Sequence, residues 1–179
     1  MASWYTIRAR GRGRVDARAE VAIYDEIGAY GVSAKGFLAE LGALPGGTPV
    51  DLRLNSPGGS VFDAVAIHNA IKRHEGTVTV WIDGIAASAA SYVAMAGDEI
   101  VMPENAFLMI HDPSGIVMGT AADMRDMAGT LDKIAGSMTG ICQTSCPPVS
   151  CGVSDFRGAG FVFGVEPDGS SGLPVSGFA

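Results

Sequence analysis

The chain has 179 residues, of which 47% are hydrophobic and 17% are charged, and its formal net charge is −7. This composition is too apolar for a disordered protein and predicts one domain with a buried core. The acidic balance argues against a general nucleic-acid-binding protein, which needs a basic surface. No apolar run reaches the roughly 18 residues of a membrane-spanning helix, and residues 1–18 lack the apolar stretch of a secretory signal. We therefore expect a cytoplasmic protein with neither a nucleic-acid nor a membrane partner.

Residues 1–18 form an arginine-rich segment. Its arginines are interleaved mainly with glycine and alanine and lie at Arg8, Arg10, Arg12, Arg14 and Arg18. This pattern is typical of a solvated N-terminal arm, and the alternative is an arm that contacts a partner or a substrate.

Residues 19–141 alternate between strand-like and helix-like segments. Period-two or β-branched patterns predict strands over 19–24, 49–54, 77–82, 99–102 and 106–111. Helical spacing of apolar residues predicts helices over 33–44, 60–74 and 89–96, with Ser33 as an N-cap. The repeated order strand–helix–strand predicts mainly parallel pairing with right-handed crossovers, an α/β fold.

The longest predicted helix begins at Thr120, which can cap it, and carries Asp123 in its first turn. Its apolar side chains recur every three or four residues and form a narrow seam. That seam suits either a partner helix or packing against its own domain. The seam residues are Met124, Met127, Leu131, Ile134 and Met138.

The character of the sequence changes after Ile141. Residues 142–179 hold all three cysteines, 7 of the 25 glycines and 4 of the 9 prolines, and they predict an irregular tail. The cysteines, Cys142, Cys146 and Cys151, form no CxxC pair and no histidine follows them. We predict neither a disulfide framework nor a metal site there.

Ser88 is the first candidate for chemistry. It follows the strand over 77–82 and the small-residue run Gly84-Ile85-Ala86-Ala87, at a predicted strand-to-helix junction. Such a junction presents the hydroxyl outward and places backbone N–H groups beside it, where an oxyanion would form. The competing interpretation is a small residue in a tightly packed helix.

Two further segments could complete a site. The run Asn55-Ser56-Pro57-Gly58-Gly59 also ends a strand, and its glycines could bind an anion, hold an oxyanion or only turn the chain. His111 closes the apolar strand over 106–111 and precedes a Pro-Ser-Gly loop, which suits a general base at a cleft. Of the other histidines, we expect His68 to be packed in the core and His74 to be exposed.

Together these motifs resemble a known family. Asn-Ser-Pro-Gly-Gly-Ser at 55–60, Gly-Ile-Ala-Ala-Ser-Ala-Ala-Ser at 84–91 and Pro-Glu-Asn-Ala-Phe-Leu-Met-Ile-His at 103–111 are similar to the proteolytic subunit of the Clp protease, ClpP. The similarity extends from about residue 20 to 141. It is strongest to the shorter ClpP-like proteases of phages and prophages that are associated with head maturation.

The resemblance implies a site. Ser88 would be the nucleophile and His111 the base, and the N–H groups of Gly59 and Ala89 would form the oxyanion hole. The segments beginning at Gly58 and at Pro113 would flank an extended substrate. Family members place an aspartate several tens of residues beyond the histidine. Asp155 lies at about that distance, although Val153-Ser154-Asp155-Phe156-Arg157 departs from the family pattern.

The resemblance also implies an architecture and partners. The fold would be the ClpP/crotonase-like spiral of β-β-α units, with the helix from Thr120 as the handle that joins two rings. The partners would be a polypeptide substrate, further copies in a homo-oligomeric ring, and an ATP-dependent unfoldase or phage head proteins. No cofactor is expected.

Three functions remain open at this point. The first is a serine endopeptidase that acts through an acyl-enzyme. The second is a non-catalytic ring subunit with an assembly role. The third is an acyl-CoA enzyme on the related crotonase-like spiral, which the presence of both Ser88 and His111 disfavours.

Overall fold

A computed structural model describes residues 8–10, 18–145 and 161–163. The strands within these residues are β1 (Arg8–Arg10), β2 (Arg18–Ile23), β3 (Val50–Ser56), β4 (Val78–Ala87), β5 (Glu99–Val101), β6 (Phe107–Ile110) and β7 (Phe161–Phe163). The helices are α1 (Ala34–Gly42), α2 (Val61–Lys72), α3 (Ala89–Ala94) and α4 (Ala121–Ser145).

All described strands belong to one mainly parallel sheet. Its order is β1-β2-β3-β4-β6-β7, and β5 pairs with β4 beside this path. The pairs β2–β3, β3–β4, β4–β5 and β4–β6 are parallel, whereas β1 and β7 join the edges antiparallel. The predicted α/β class with mainly parallel pairing is confirmed.

The core lies between this sheet and helices α1 to α3. Alternate residues of β2, β3 and β4 point into it, among them Ile23, Leu54 and Ile82, each 0% exposed. Serine N-caps start the first two helices: Ser33 Oγ accepts a hydrogen bond from Gly36 N at 3.2 Å, as predicted, and Ser60 caps α2 in the same way.

The opposite face of the sheet is polar. Arg53 pairs with Asp83 through both its Nε, at 2.8 Å, and a terminal nitrogen, and its guanidinium lies 5.5 Å from the Trp81 ring centroid. Arg18 pairs with Asp51 through Nε alone, at 2.8 Å, and its terminal nitrogen donates to Thr79 Oγ1 at 2.9 Å. These side chains alternate with the core-facing residues along the same strands, which explains the period-two pattern of the sequence.

The structure differs from the expectations in four places. β4 does not end at residue 82 but continues to Ala87, because its register with β3 shifts and Asn55 Oδ1 accepts a hydrogen bond from Ile85 N at 3.2 Å. Strand β7 lies within residues predicted to be irregular, and β1 lies within the predicted arm. Helix α4 continues past the predicted boundary at residue 141 and ends at Ser145.

Helix α4 lies on the surface. Thr120 and Asp123 cap it reciprocally: Asp123 Oδ2 accepts hydrogen bonds from Thr120 N and Oγ1, each at 2.7 Å, and Thr120 Oγ1 accepts from Asp123 N at 3.4 Å. No side chain over residues 121–140 is buried. Met127 and Leu131 are half-buried where they contact the loop at Gly115. None of the described helices is long and apolar enough to cross a membrane.

Candidate active site

Ser88 stands between β4 and α3 in an unusual backbone conformation. Its φ of 53° and ψ of −124° make it the one non-glycine residue with a positive φ in the described part of the chain. Such a conformation costs about 1–3 kcal/mol and persists where the surroundings enforce it. Strained backbone of this kind concentrates at functional sites, and it distinguishes Ser88 from a residue inside a regular helix.

The Ser88 hydroxyl is not used to cap the helix that it precedes. Ser33 and Ser60 stand at the corresponding positions before α1 and α2, and each hydroxyl accepts a backbone N–H of the first turn. Ser88 makes no such bond before α3. Its oxygen is therefore available for another partner.

Three hydrogen bonds fix the Ser88 backbone instead. Its N–H donates to the Met109 carbonyl of β6 at 2.8 Å, and its carbonyl accepts the Ser91 hydroxyl at 2.6 Å and the Ser91 N–H at 3.0 Å. These bonds connect the junction to the neighbouring strand and to α3. They supply the surrounding structure that holds the positive φ.

The glycine loop after β3 lies directly against this junction. Gly58 is buried with φ +98°, and a Cβ added there would lie 2.5 Å from the Ala87 oxygen and 2.7 Å from Ser88 Cβ. Glycine is required because both the conformation and the space exclude a side chain. The predicted substrate contact at Gly58 stays a prediction. Its N–H already donates to Ser56 Oγ at 3.2 Å.

Gly59 is oriented by a parallel bridge to Ile27. The Gly58 carbonyl accepts from Ile27 N and the Ser60 N–H donates to the Ile27 carbonyl, each at 2.7 Å. In such a bridge the middle residue directs its own N–H to the other side of the chain. Gly59 therefore points its N–H away from Ile27, and it is exposed. Ala89, the second predicted oxyanion donor, is the first residue of α3, where backbone N–H groups have no intrahelical acceptor.

His111 follows β6, the strand next to β4, and lines the same open cleft as Ser88. Its Nδ1 lies 2.7 Å from the Asp112 carbonyl oxygen. A carbonyl can only accept, so Nδ1 carries a proton, and in the neutral ring the lone pair is then on Nε2. That is the tautomer a general base needs, although no direct hydrogen bond joins the Ser88 and His111 side chains as the structure describes them.

The other two histidines stand elsewhere. His68 is 3% exposed, its Nδ1 lies 3.0 Å from the Tyr92 carbonyl oxygen, and burial lowers its pKa. The prediction of a core histidine is thus confirmed. His74 is only half-buried and its Nε2 lies 2.7 Å from the Thr48 carbonyl oxygen, so the expectation of an exposed side chain is corrected.

The cleft has walls that sequence reasoning missed. Besides Pro113 and the residues around Ser88, it is lined by side chains of α2, α3 and α4. Its empty volume is about 520 Å³, including solvent at its mouth. The unpredicted lining residues are largely apolar: Val61, Tyr92, Ile110, Ala135 and Met138.

Asp155, the predicted third catalytic residue, lies outside the described residues, as do Cys146 and Cys151. Asp112 lines the cleft, and its backbone carbonyl rather than its carboxylate accepts from the His111 ring. Among the residues described, no three potential metal-ligating side chains lie together.

Comparison with known proteins decides the family. The model of the Clp protease family matches residues 12–148. The chain belongs to the Clp protease family. The matched region includes Ser88, His111 and the glycine loop, and it ends before Asp155.

Individual relatives agree with this assignment. Over 111 residues the chain is 37% identical to the ATP-dependent Clp protease proteolytic subunit 3 of Streptomyces coelicolor and 36% identical to proteolytic subunit 1 of Streptomyces avermitilis. Each match covers 60% of this chain and 50% of the relative, so the chain spans about half the length of these two relatives. An uncharacterized protein of Methanocaldococcus jannaschii is 34% identical over 98 residues, which are 50% of this chain and 34% of that protein.

A solved structure supports the fold. A ClpP1 point mutant from Listeria monocytogenes superposes with a TM-score of 0.62 and 25% sequence identity. The superposition covers 70% of this chain and 71% of the other. The ClpP-like α/β fold implied by the sequence motifs is confirmed.

Proposed function

We propose that the chain is a serine endopeptidase subunit that cleaves peptide bonds through an acyl-enzyme. The observation that carries the proposal is Ser88, a strained serine whose hydroxyl caps nothing and lines one cleft with His111. His111 Nε2 takes the Ser88 proton as the oxygen attacks the peptide carbonyl, and then returns it to the leaving amine. The N–H groups of Gly59 and Ala89 stabilise the oxyanion.

The lining of the cleft favours an apolar substrate side chain. Tyr92, Ile110 and Met138 supply apolar surface beside Ser88, and burial of apolar area from water favours binding by about 25 cal/mol per Å². We expect peptides with a leucine, methionine or phenylalanine before the scissile bond to be cleaved faster than those with aspartate. A series of fluorogenic peptides that differ only at that residue tests this preference.

Labelling with a fluorophosphonate tests the nucleophile. Wild type should react at Ser88, and Ser88→Ala should lose both labelling and peptide cleavage, since alanine has no oxygen to attack the phosphonate or the peptide carbonyl; in an enzyme with a complete triad this loss costs about 10⁶-fold in kcat. Ser137→Ala is the matched control, because Ser137 is exposed on α4 and its hydroxyl donates only to the Ile134 carbonyl at 2.8 Å. Equal labelling of wild type and Ser88→Ala would refute the assignment.

Asp155 is proposed to contribute little to turnover. The proton on His111 Nδ1 already has an acceptor in the Asp112 carbonyl, which can set the tautomer but carries no negative charge to stabilise the imidazolium. Loss of that charge costs about 10⁴-fold in a triad hydrolase, so we expect slow turnover. Asp155→Asn should then change kcat by less than about threefold. A large loss would show that Asp155 completes a triad.

A non-catalytic ring subunit is the second candidate. The absence of a direct Ser88–His111 hydrogen bond among the described residues favours it, although such bonds often tighten only when substrate binds. Under this alternative the wild type would assemble but would neither label nor cleave. Light scattering and labelling of the same sample separate the two functions.

Assembly and delivery of substrate are part of the proposal. Met124, on the predicted seam of α4, is 52% exposed, and Ile116 and Met118 in the preceding loop are 94% and 92% exposed. Exposed apolar side chains of this kind commonly mark an interface, here one between copies in a ring. An ATP-dependent unfoldase or phage head proteins would bring the polypeptide. If a folded protein is cleaved only when an unfoldase and ATP are added, the unfoldase is the favoured partner.

A further inference from the structure

Ser56 is a buried hydroxyl at the end of β3. It is 0% exposed, its Oγ donates to the Asp25 carbonyl at 2.7 Å, and it accepts the Gly58 N–H at 3.2 Å. One hydroxyl thus joins two backbone segments that are far apart in sequence. Buried polar groups persist when they are fully bonded, and this one uses both its donor and an acceptor position.

Ser56 bonds to residues 25–32, a loop that we call the brace. Hydrogen bonds within the brace fix its shape: Gly28 N donates to the Val32 carbonyl at 2.9 Å and Val32 N donates to the Glu26 carbonyl at 2.7 Å. It also binds the glycine loop directly through Ile27, whose N–H and carbonyl pair with Gly58 and Ser60, each at 2.7 Å. Together with Ser56 these bonds hold the loop backbone on one side.

The other side of the loop faces the nucleophile. Gly58 packs against the backbone of Ala87 and Ala89 and against Ser88, and Gly59 directs its N–H away from the brace. A change in the Gly58 peptide therefore moves the Gly59 N–H relative to Ser88. Ser56 itself lines no part of the cleft.

We infer that Ser56 is a positioning residue for the oxyanion hole, an inference that rests on the proposed peptidase function. Its hydroxyl fixes the Gly58 peptide against the brace and so sets where the Gly59 N–H points. Without the hydroxyl, the buried Gly58 N–H loses its acceptor and the Asp25 carbonyl loses this donor. The loop then relaxes toward other acceptors.

The expected effect is on turnover rather than on binding. Misplacement of a reacting or stabilising group by about 1 Å can cost about 10²-fold in rate, and loss of one oxyanion donor costs about 10²–10³-fold in kcat. We expect Ser56→Ala to lower kcat by about 10- to 100-fold. KM should stay within about threefold, because the lining at Tyr92 and Met138 is unchanged.

The experiment compares three variants in the full chain. Ser56→Ala removes the hydroxyl, and Ser56→Cys replaces it by a somewhat larger thiol, which is a weaker donor. Val80→Ala is a control that truncates a 0% exposed side chain of β4 away from the loop. Folding is checked by circular dichroism, and kcat is referred to the fraction of sites that a fluorophosphonate labels. Hydrogen exchange of the Gly58 and Gly59 amides is followed by NMR, a readout that needs no activity.

The outcomes separate the two proposals. Support is a loss of kcat with KM retained in Ser56→Ala, a smaller loss in Ser56→Cys, faster exchange at Gly58, and wild-type kcat in Val80→Ala. Wild-type kcat and unchanged exchange in both Ser56 variants overturn the inference while the peptidase proposal stands. If the wild type neither labels nor cleaves, the peptidase proposal fails, and the Gly58 exchange alone decides whether Ser56 orders the loop.

Discussion

Replacing Gly58 by alanine should destabilise the fold and disable the nucleophile together. A left-handed backbone costs a residue with a Cβ about 1–2 kcal/mol, and Gly58 has φ +98°. The added methyl would also lie 2.7 Å from Ser88 Cβ and 2.9 Å from Ala89 N, and such overpacking costs about 1–3 kcal/mol. The sum, about 2–5 kcal/mol, is a large part of the 5–15 kcal/mol that typically stabilises a domain.

Urea unfolding followed by circular dichroism measures this loss, and fluorophosphonate labelling under native conditions measures the state of Ser88. Gly47→Ala is the matched control, because Gly47 also has a positive φ, +72°, but no atom lies within 4 Å of the added Cβ. Gly47→Ala should lose only the free energy that a positive φ costs a residue with a Cβ, about 1–2 kcal/mol, and its Ser88 should be labelled as in the wild type. Equal stability losses in the two variants, with normal labelling of Gly58→Ala, would refute the packing argument.

Three further predictions concern other parts of the chain. Burial lowers the pKa of His68, so on acidification the unfolded chain protonates this histidine at a higher pH than the folded chain does. The melting temperature should therefore fall as the pH drops below about 6.5, and His68→Gln should show a smaller fall. Hydrogen bonds from Thr120 lower the pKa of Asp123 from its ordinary value of 3.8. The Asp123 carboxylate should therefore stabilise helix α4 above pH 3.8, and this stabilisation should be lost as the pH falls through the lowered pKa. Circular dichroism at acid pH should show this loss of helix in the wild type and not in Asp123→Asn. Replacing Met127 and Leu131 together by lysine should shift the mass measured by light scattering to smaller species, whereas an unchanged mass would show that the seam packs within one chain.

The elements with a local signal were predicted well. Strand β3 alternates buried and less buried residues from Val50 to Ser56, and Ser33 caps α1 as its position before an apolar stripe indicated. Period and capping are properties of neighbouring residues, so the sequence displays them directly. The parallel order of the strands followed from the same alternation.

Features that depend on distant contacts were missed. The extension of β4 to Ala87 rests on its pairing with β3 and β6 and on the Asn55 side chain, and small residues such as Ala86 and Ala87 carry no alternation to reveal it. The contribution of Met138 to the cleft depends on how α4 lies over the domain. The bond of Ser56 to the Asp25 carbonyl spans 31 positions and leaves no local signature.

The candidate site itself came mainly from the motifs. Residue chemistry left Ser88 open between a nucleophile and a packed small residue, and the resemblance to a family joined it to His111. The structure adds an independent physical reason, which is the positive φ of Ser88 and its unused capping capacity.

The order of the strands also fixes the stereochemistry of any attack at Ser88. β3 and β6 flank β4 on opposite sides and run parallel to it, so the glycine loop and His111 approach the serine from opposite directions. A planar carbonyl whose oxygen turns toward Gly59 then offers only one of its two faces to the hydroxyl. The tetrahedral centre formed there has a single handedness. A chiral phosphonate should accordingly react as one enantiomer much faster than as its mirror image.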